Sequence, residues 1–131
     1  MSEGGESAQV LVVDDNPTNL KLAFEVLRWA GYRVSTATDA EKALKVIEER
    51  PPAVILMDIG LPGMDGLTLT RKLKAQPSTR SIRIVALTAF AMKGDERKVI
   101  DAGCDGYISK PVNTRTLAAQ VERYLRGELP S

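Results

Sequence analysis

Two uninterrupted apolar runs that end in aspartate constrain the fold more than any other feature of the chain. Val10-Leu11-Val12-Val13 runs into Asp14-Asp15, and Ala53-Val54-Ile55-Leu56-Met57 runs into Asp58. A strand with one face in water alternates apolar and polar residues. A strand that is apolar at every position is covered on both faces, as a parallel strand flanked by helices is. The helices come from periodicity. Leu20, Ala23, Phe24, Leu27 and Ala30 recur at helical spacing behind Pro17, which suits a first helical turn, and Gly31 stops them. Thr38-Asp39-Ala40-Glu41 resembles a capping box, opening a helix with Ala40, Ala43, Leu44 and Ile47 on one face that ends at Pro51-Pro52.

The remaining chain repeats the alternation. Strands are predicted at 9–13, 33–37, 53–57, 82–87 (ending at Thr88) and around Tyr107-Ile108. Further helices are predicted at 67–75 and 91–102, and Asn113 is a candidate cap for a last one whose inner face is Leu117, Val121 and Leu125. Gly60, Pro62, Gly63 and Gly66 make the loop after Asp58 rich in turn residues. Five strands alternating with five helices through short connections predict an α/β domain, a doubly wound five-stranded parallel sheet. In 131 residues the expected organisation is one domain at 9–126, a flexible lead at 1–8 and a short tail at 127–131.

Composition removes several function classes. The chain has no histidine, so it holds no Ser-His-Asp or Cys-His machinery, no histidine metal cluster and no histidine phosphodonor of its own. Its one cysteine, Cys104, allows no internal disulfide and reads as a small buried hydrophobe. Eighteen basic residues against seventeen acidic ones give a formal charge of +1, no general drive onto nucleic acid or anionic lipid. With no apolar run long enough for a membrane span and no secretory leader, a cytoplasmic location is expected.

Open α/β sheets bind ligands beyond the carboxyl ends of their strands. Those ends carry Asp14, Asp15, Asp58, Thr88 and Lys110. A single aspartate there is as readily a helix cap; five polar groups closing four apolar strands are a cluster with a purpose. Three neighbouring carboxylates repel unless a cation intervenes. An all-oxygen set suits Mg²⁺, with Mn²⁺ as a substitute, and offers nothing to zinc. Lys110 can pair with a carboxylate or a phosphoryl oxygen, the Thr88 hydroxyl can donate to one, and one carboxylate can attack phosphorus to give an aspartyl phosphate. A shared cation requires Asp15 and Asp58 to lie within about 10 Å of each other.

Four segments in order, Val10-Leu11-Val12-Val13-Asp14-Asp15-Asn16, Leu56-Met57-Asp58-Ile59-Gly60-Leu61-Pro62-Gly63-Met64-Asp65-Gly66, Ala86-Leu87-Thr88-Ala89 and Lys110-Pro111, carry a resemblance. The chain resembles the receiver domain of two-component response regulators, most like the stand-alone members of chemotaxis or cell-cycle type. The resemblance implies a flavodoxin-like (βα)5 fold with strand order 2-1-3-4-5. It implies Asp58 as phosphoryl acceptor, with Thr88 and Lys110 as catalytic partners on the phosphoryl oxygens. The metal would be held by Asp15, Asp58 and the Gly60 carbonyl, with Asp14 acting mainly through water. A cis Lys110–Pro111 peptide would position the lysine, and Thr88 and Tyr107 would form the switch pair; the residues alone make Tyr107 a half-buried strand tyrosine.

Gly60 and Phe90 fall where the family borders the water path to the acyl phosphate, and neither can orient an attacking water, so slow self-dephosphorylation is expected. Asp65 reads as a turn or helix cap beside Gly66, and the charged residues of the fourth helix (Lys93, Asp95, Glu96, Arg97, Lys98, Asp101) as a solvated face. Trp29 reads as a satellite core residue ahead of a partner contact. The partners implied are a histidine kinase or histidine phosphotransfer protein as donor and a downstream protein target. Direct nucleic-acid binding and membrane insertion are not expected, and the protein would be a monomer or weak dimer. Two alternatives stay open: an interaction module that no longer takes phosphate, and a receiver belonging to a larger regulator or hybrid kinase. A Mg²⁺-dependent phosphatase or phosphotransferase fits less well, since such enzymes space nucleophile and acid two residues apart whereas Asp14 and Asp15 are adjacent; a nucleotide-binding module fits worse, because no phosphate-cradling glycine loop follows any strand.

Overall fold

The computed structural model describes residues 8–61, 64–88, 93–110 and 112–126, with 93–96 described as backbone. Ten elements alternate: β1 (Gln9–Val13), α1 (Pro17–Trp29), β2 (Arg33–Ala37), α2 (Ala40–Glu49), β3 (Val54–Asp58), α3 (Gly66–Ala75), β4 (Arg83–Thr88), α4 (Lys93–Asp101), β5 (Gly106–Ser109) and α5 (Leu117–Leu125). The strands form one sheet in the order β2-β1-β3-β4-β5, every pair parallel. The predicted fold class and strand order are those observed.

The unbroken apolar strands are covered on both faces because successive side chains point to opposite sides. Leu11, Val13, Ile55, Met57, Ile84 and Ala86 face one layer, where they meet Ala43 and Ile47 of α2, Leu69 and Leu73 of α3 and Val99 of α4. Val10, Val12, Val54, Leu56, Val85, Leu87 and Ile108 face the other, packing on Leu20, Ala23 and Leu27 of α1 and Leu117 and Val121 of α5. Every residue of β3 is buried, Asp58 included. Among the described residues no helix is long and apolar enough to cross a membrane.

Helix starts follow capping chemistry, with two departures from expectation. Asn16 caps α1, its side-chain oxygen accepting from the amides of Thr18 (2.9 Å) and Asn19 (3.1 Å), with Pro17 in the first turn. Asp65 caps α3 through the Thr68 amide (2.8 Å). At α2 the cap is Asp39 and not Thr38: the Asp39 carboxylate accepts from the Lys42 amide (2.8 Å), while the Thr38 hydroxyl accepts from the Lys42 ammonium (3.1 Å). The helix thus begins one residue later than a capping box would put it. Asn113 caps the turn leading into α5, its side chain accepting from the Arg115 amide; the helix itself begins at Leu117 behind Thr116, which makes no side-chain cap bond.

Two α1 assignments are corrected. Ala30 is exposed: it closes the helix ahead of Gly31, whose φ of +100° suits glycine. Trp29 is 87% exposed and is not a satellite core residue. Leu27 holds the inward position, and two residues further on is about 200° around the helix. The lead at 1–7, the tail at 127–131, Pro62, Gly63, Phe90 and the Lys110–Pro111 peptide, whose Pro111 is not described, lie outside the described residues.

Candidate functional site

Parallel pairing sets Val13 beside Met57, Asp58 beside Leu87 and Thr88 beside Ser109, so the carboxyl ends of β1, β3, β4 and β5 close at one edge of the sheet. The carboxylates of Asp14, Asp15 and Asp58 converge there, one oxygen from each lying within 4.8 Å of the others. That is well inside the distance a shared cation requires. Asp14 and Asp58 are buried, whereas Asp15 is exposed.

The two buried carboxylates are held in matching ways. Asp14 Oδ1 accepts from the Asn16 amide at 2.9 Å, and Asp58 Oδ1 accepts from the Gly60 amide at 2.9 Å, each from two residues ahead. The remaining oxygens face a single ammonium: Lys110 Nζ lies 3.2 Å from Asp14 Oδ2 and 3.1 Å from Asp58 Oδ2. The Lys110 amide in turn donates to the Thr88 carbonyl at 2.7 Å, which fixes the lysine's backbone to the end of β4. Thr88 is buried as the last residue of that strand.

Three carboxylates around one ammonium leave two negative charges in excess. Burial pushes the Asp14 carboxyl above its ordinary value, and the charge of Asp58 adds to this against the opposing pull of the Asn16 amide and Lys110. Burial works against the charge on Lys110 also, but the hydrogen bonds and charges of Asp58 and Asp14 together outweigh it and lift the lysine above its usual value. The donor set is all oxygen, convergent and under-neutralised, which fits a hard divalent cation.

Gly66 lets α3 begin against the end of β3. A Cβ there would overlap the Asp58 carbonyl oxygen and come within 2.9 Å of Ile59 Cα, so the helix start and Asp58 share one tight packing point. At Gly60 a Cβ would sit in ordinary contact, 3.7 Å from Asp58 Oδ1. Tyr107 is half-buried in β5 against the layer containing Ala86 and Val99. Cys104 is buried, its thiol pushed up to about 11 by burial, as inert as expected. A recess of about 40 Å³ that the sequence pattern does not reveal lies beside Asp14 and Lys110, walled by Asn19, Leu22 and Val112 among others. Leu22, 41% exposed, was the available signal: an apolar residue off the inward stripe of α1.

Residues 10–122 match the response regulator receiver domain family. The chain belongs to that family. The receiver domain is 40% identical over 116 residues to the polar-differentiation response regulator DivK of Brucella anthropi, spanning 88% of this chain and 94% of that one. Among solved structures it is similar to the chemotaxis protein CheY4 of Vibrio cholerae, with a TM-score of 0.85, 29% identity, and coverage of 89% of this chain and 98% of that one. It is also similar to the BeF3-activated DrrB receiver domain, with a TM-score of 0.82, 30% identity, and coverage of 92% and 98%.

Proposed function

We propose that this receiver domain is a phosphorylation-dependent switch that takes a phosphoryl group from a phosphohistidine on a partner onto Asp58. The single observation that carries the reading is the meeting of the Asp14, Asp15 and Asp58 carboxylates within 4.8 Å, with Lys110 between the two buried ones. Asp58 supplies the nucleophile: a carboxylate oxygen forms the new bond to phosphorus as the P–N bond breaks, and the imidazole leaves with a proton. Lys110 moves from the carboxylates to an incoming phosphoryl oxygen, and the Thr88 hydroxyl donates to another.

Asp14, Asp15 and Asp58, with the Gly60 carbonyl, would hold Mg²⁺ or Mn²⁺. Bound there, the cation neutralises charge on the transferring group. The added phosphoryl group brings about −1.5 to −2 charges, enough to bias a surface whose two states differ by a few kcal/mol, with Thr88 and Tyr107 as the moving pair. The donor is a histidine kinase or histidine phosphotransfer protein, since the chain has no histidine of its own. The output is a changed contact with a downstream protein, in the cytoplasm, made by a monomer or weak dimer. Similarity to a receiver solved in a BeF3-activated form supports the reading, because that group resembles a phosphoryl group in shape and charge.

Incubation with acetyl phosphate and Mg²⁺ should add one phosphoryl group per chain by intact-mass measurement, and Asp58→Asn should abolish it. After donor removal the label should decay slowly, since Gly60 places no side chain beside Asp58 Oδ1 to orient water. Full labelling of the Asp58→Asn protein would overturn the assignment.

A further inference from the structure

β5 is four residues long and lies at the edge of the sheet, paired on one side only, yet Lys110 hangs from its end. What holds such a strand in place therefore matters to the site. At its start, the Asp105 amide donates to the Ile84 carbonyl (2.7 Å), and Asp105 Oδ2 accepts from the Ile84 amide (2.8 Å). At its end, the Lys110 amide reaches the Thr88 carbonyl. In the middle, the anchor comes from another layer. Tyr124 of α5 donates its hydroxyl to the Tyr107 carbonyl at 3.2 Å, and its ring lies so close over Gly106 that a Cβ there would overlap it. Tyr124 is half-buried against the α1/α5 side of the core, behind the fully buried Val121 and Leu117. The Gly106–Tyr124 pair is thus a fitted contact: glycine makes room on the strand for the ring that then bonds the next carbonyl.

We infer that Tyr124 is a positioning residue for the aspartate site, tying β5 to α5 at Tyr107 and so holding Lys110 between Asp14 and Asp58. The inference rests on the proposed role of Lys110 in phosphoryl transfer. Without the hydroxyl, β5 keeps its ladder with β4, its terminal bonds and its packing on α5 but loses its hydrogen bond to that helix. Lys110 then samples positions away from the two carboxylates. Two effects of opposite sign follow. Phosphoryl uptake slows, because the ammonium is less often in place. Mg²⁺ binding tightens, because the same ammonium competes less for Asp14 and Asp58. General loosening of the fold would weaken both.

The decisive variant is Tyr124→Phe, which keeps the ring over Gly106. It should slow labelling by acetyl phosphate about two- to ten-fold at saturating Mg²⁺, the range one hydrogen bond commands. Calorimetric titration of the unphosphorylated protein should show Mg²⁺ affinity raised. Amide hydrogen exchange without metal should quicken at Ile108 and Lys110 while β1 and β3 stay protected. A second pair guards against misfolding: Gly106→Ala should be poorly tolerated alone and tolerated in a Tyr124→Ala background. Wild-type protein that takes no label would sink the switch reading itself. Wild type that labels normally, with Tyr124→Phe matching it in rate and in β5 exchange, would overturn the role of Tyr124 alone.

Discussion

Lys110 is one ammonium serving two buried carboxylates, and the imbalance around it has a sign that can be measured. Asp14 carries the cost, because burial lifts its folded pKa above 3.8, beyond what the Asn16 amide and Lys110 offset. A carboxyl with a raised folded pKa binds its proton more tightly in the folded state than in the unfolded one. Its ionisation therefore removes stability as pH climbs from the unfolded value through the folded one. Asp14→Asn keeps an oxygen for the Asn16 amide and removes the charge. In EDTA the variant should gain stability relative to wild type as pH rises from about 4 toward about 7. Thermal melts of both proteins across that range test it; a constant difference, or a wild type that gains on the variant, would contradict it. Lys110 shifts the same way, but there the protonated, charged form is the favoured one: its raised pKa adds stability that is complete below 10.5 and lost as pH rises through the folded value.

At the scale of elements, one side chain far from the aspartates joins three segments. Lys74 of α3 donates to the carbonyls of Arg80 (3.2 Å) and Ile82 (2.8 Å) and to Asp105 (2.9 Å), whose carboxylate also lies 3.9 Å from Arg83. The end of α3, the turn before β4 and the residue before β5 are thereby closed around one ammonium that is only 20% exposed. Lys74→Met keeps the packing of the stem and leaves those acceptors unmet. It should cost about 2 kcal/mol in denaturant unfolding. A loss below about 0.5 kcal/mol would show that water replaces the lysine. This staple was not legible in the sequence: its partners are backbone carbonyls and a carboxylate 31 residues away, and neither leaves a pattern along the chain. Legibility followed periodicity. The strands, the inward stripes of α1, α2 and α5 and the Asp65 cap repeat at fixed local spacing, so they could be read. Trp29 was misjudged because an aromatic beside Leu27 invites burial, although it lies on the other side of the helix. Asp39 and Thr38 were confused because two adjacent cap-forming side chains compete for one site, and only geometry shows which one reaches the amide.

For the whole molecule, the parallel sheet does what no local motif could: it carries aspartates more than forty residues apart in the chain to one edge. That edge is held by the chain's own hydrogen bonds and ion pairs, and the near-neutral total of +1 conceals its local excess of two negative charges. A ligand that binds only the folded state stabilises it by mass action, about 2.7 kcal/mol at a hundredfold excess over Kd. In a domain of this size that is roughly 10 °C in Tm. Mg²⁺ should give an upshift of this order in thermal melts, and KCl at equal ionic strength should not, because a monovalent salt screens the charges without being held by the three converging carboxylates. Asp15→Asn separates folding from binding. Its carboxylate is exposed, so the variant should match wild type in EDTA to within about 0.5 kcal/mol. It should nevertheless lose most of the Mg²⁺ upshift, since it removes one of three converging ligands and leaves the two that Lys110 already partly neutralises. An equal upshift in wild type and Asp15→Asn would mean that the cation binds elsewhere, and the convergence at the sheet edge would then need another explanation.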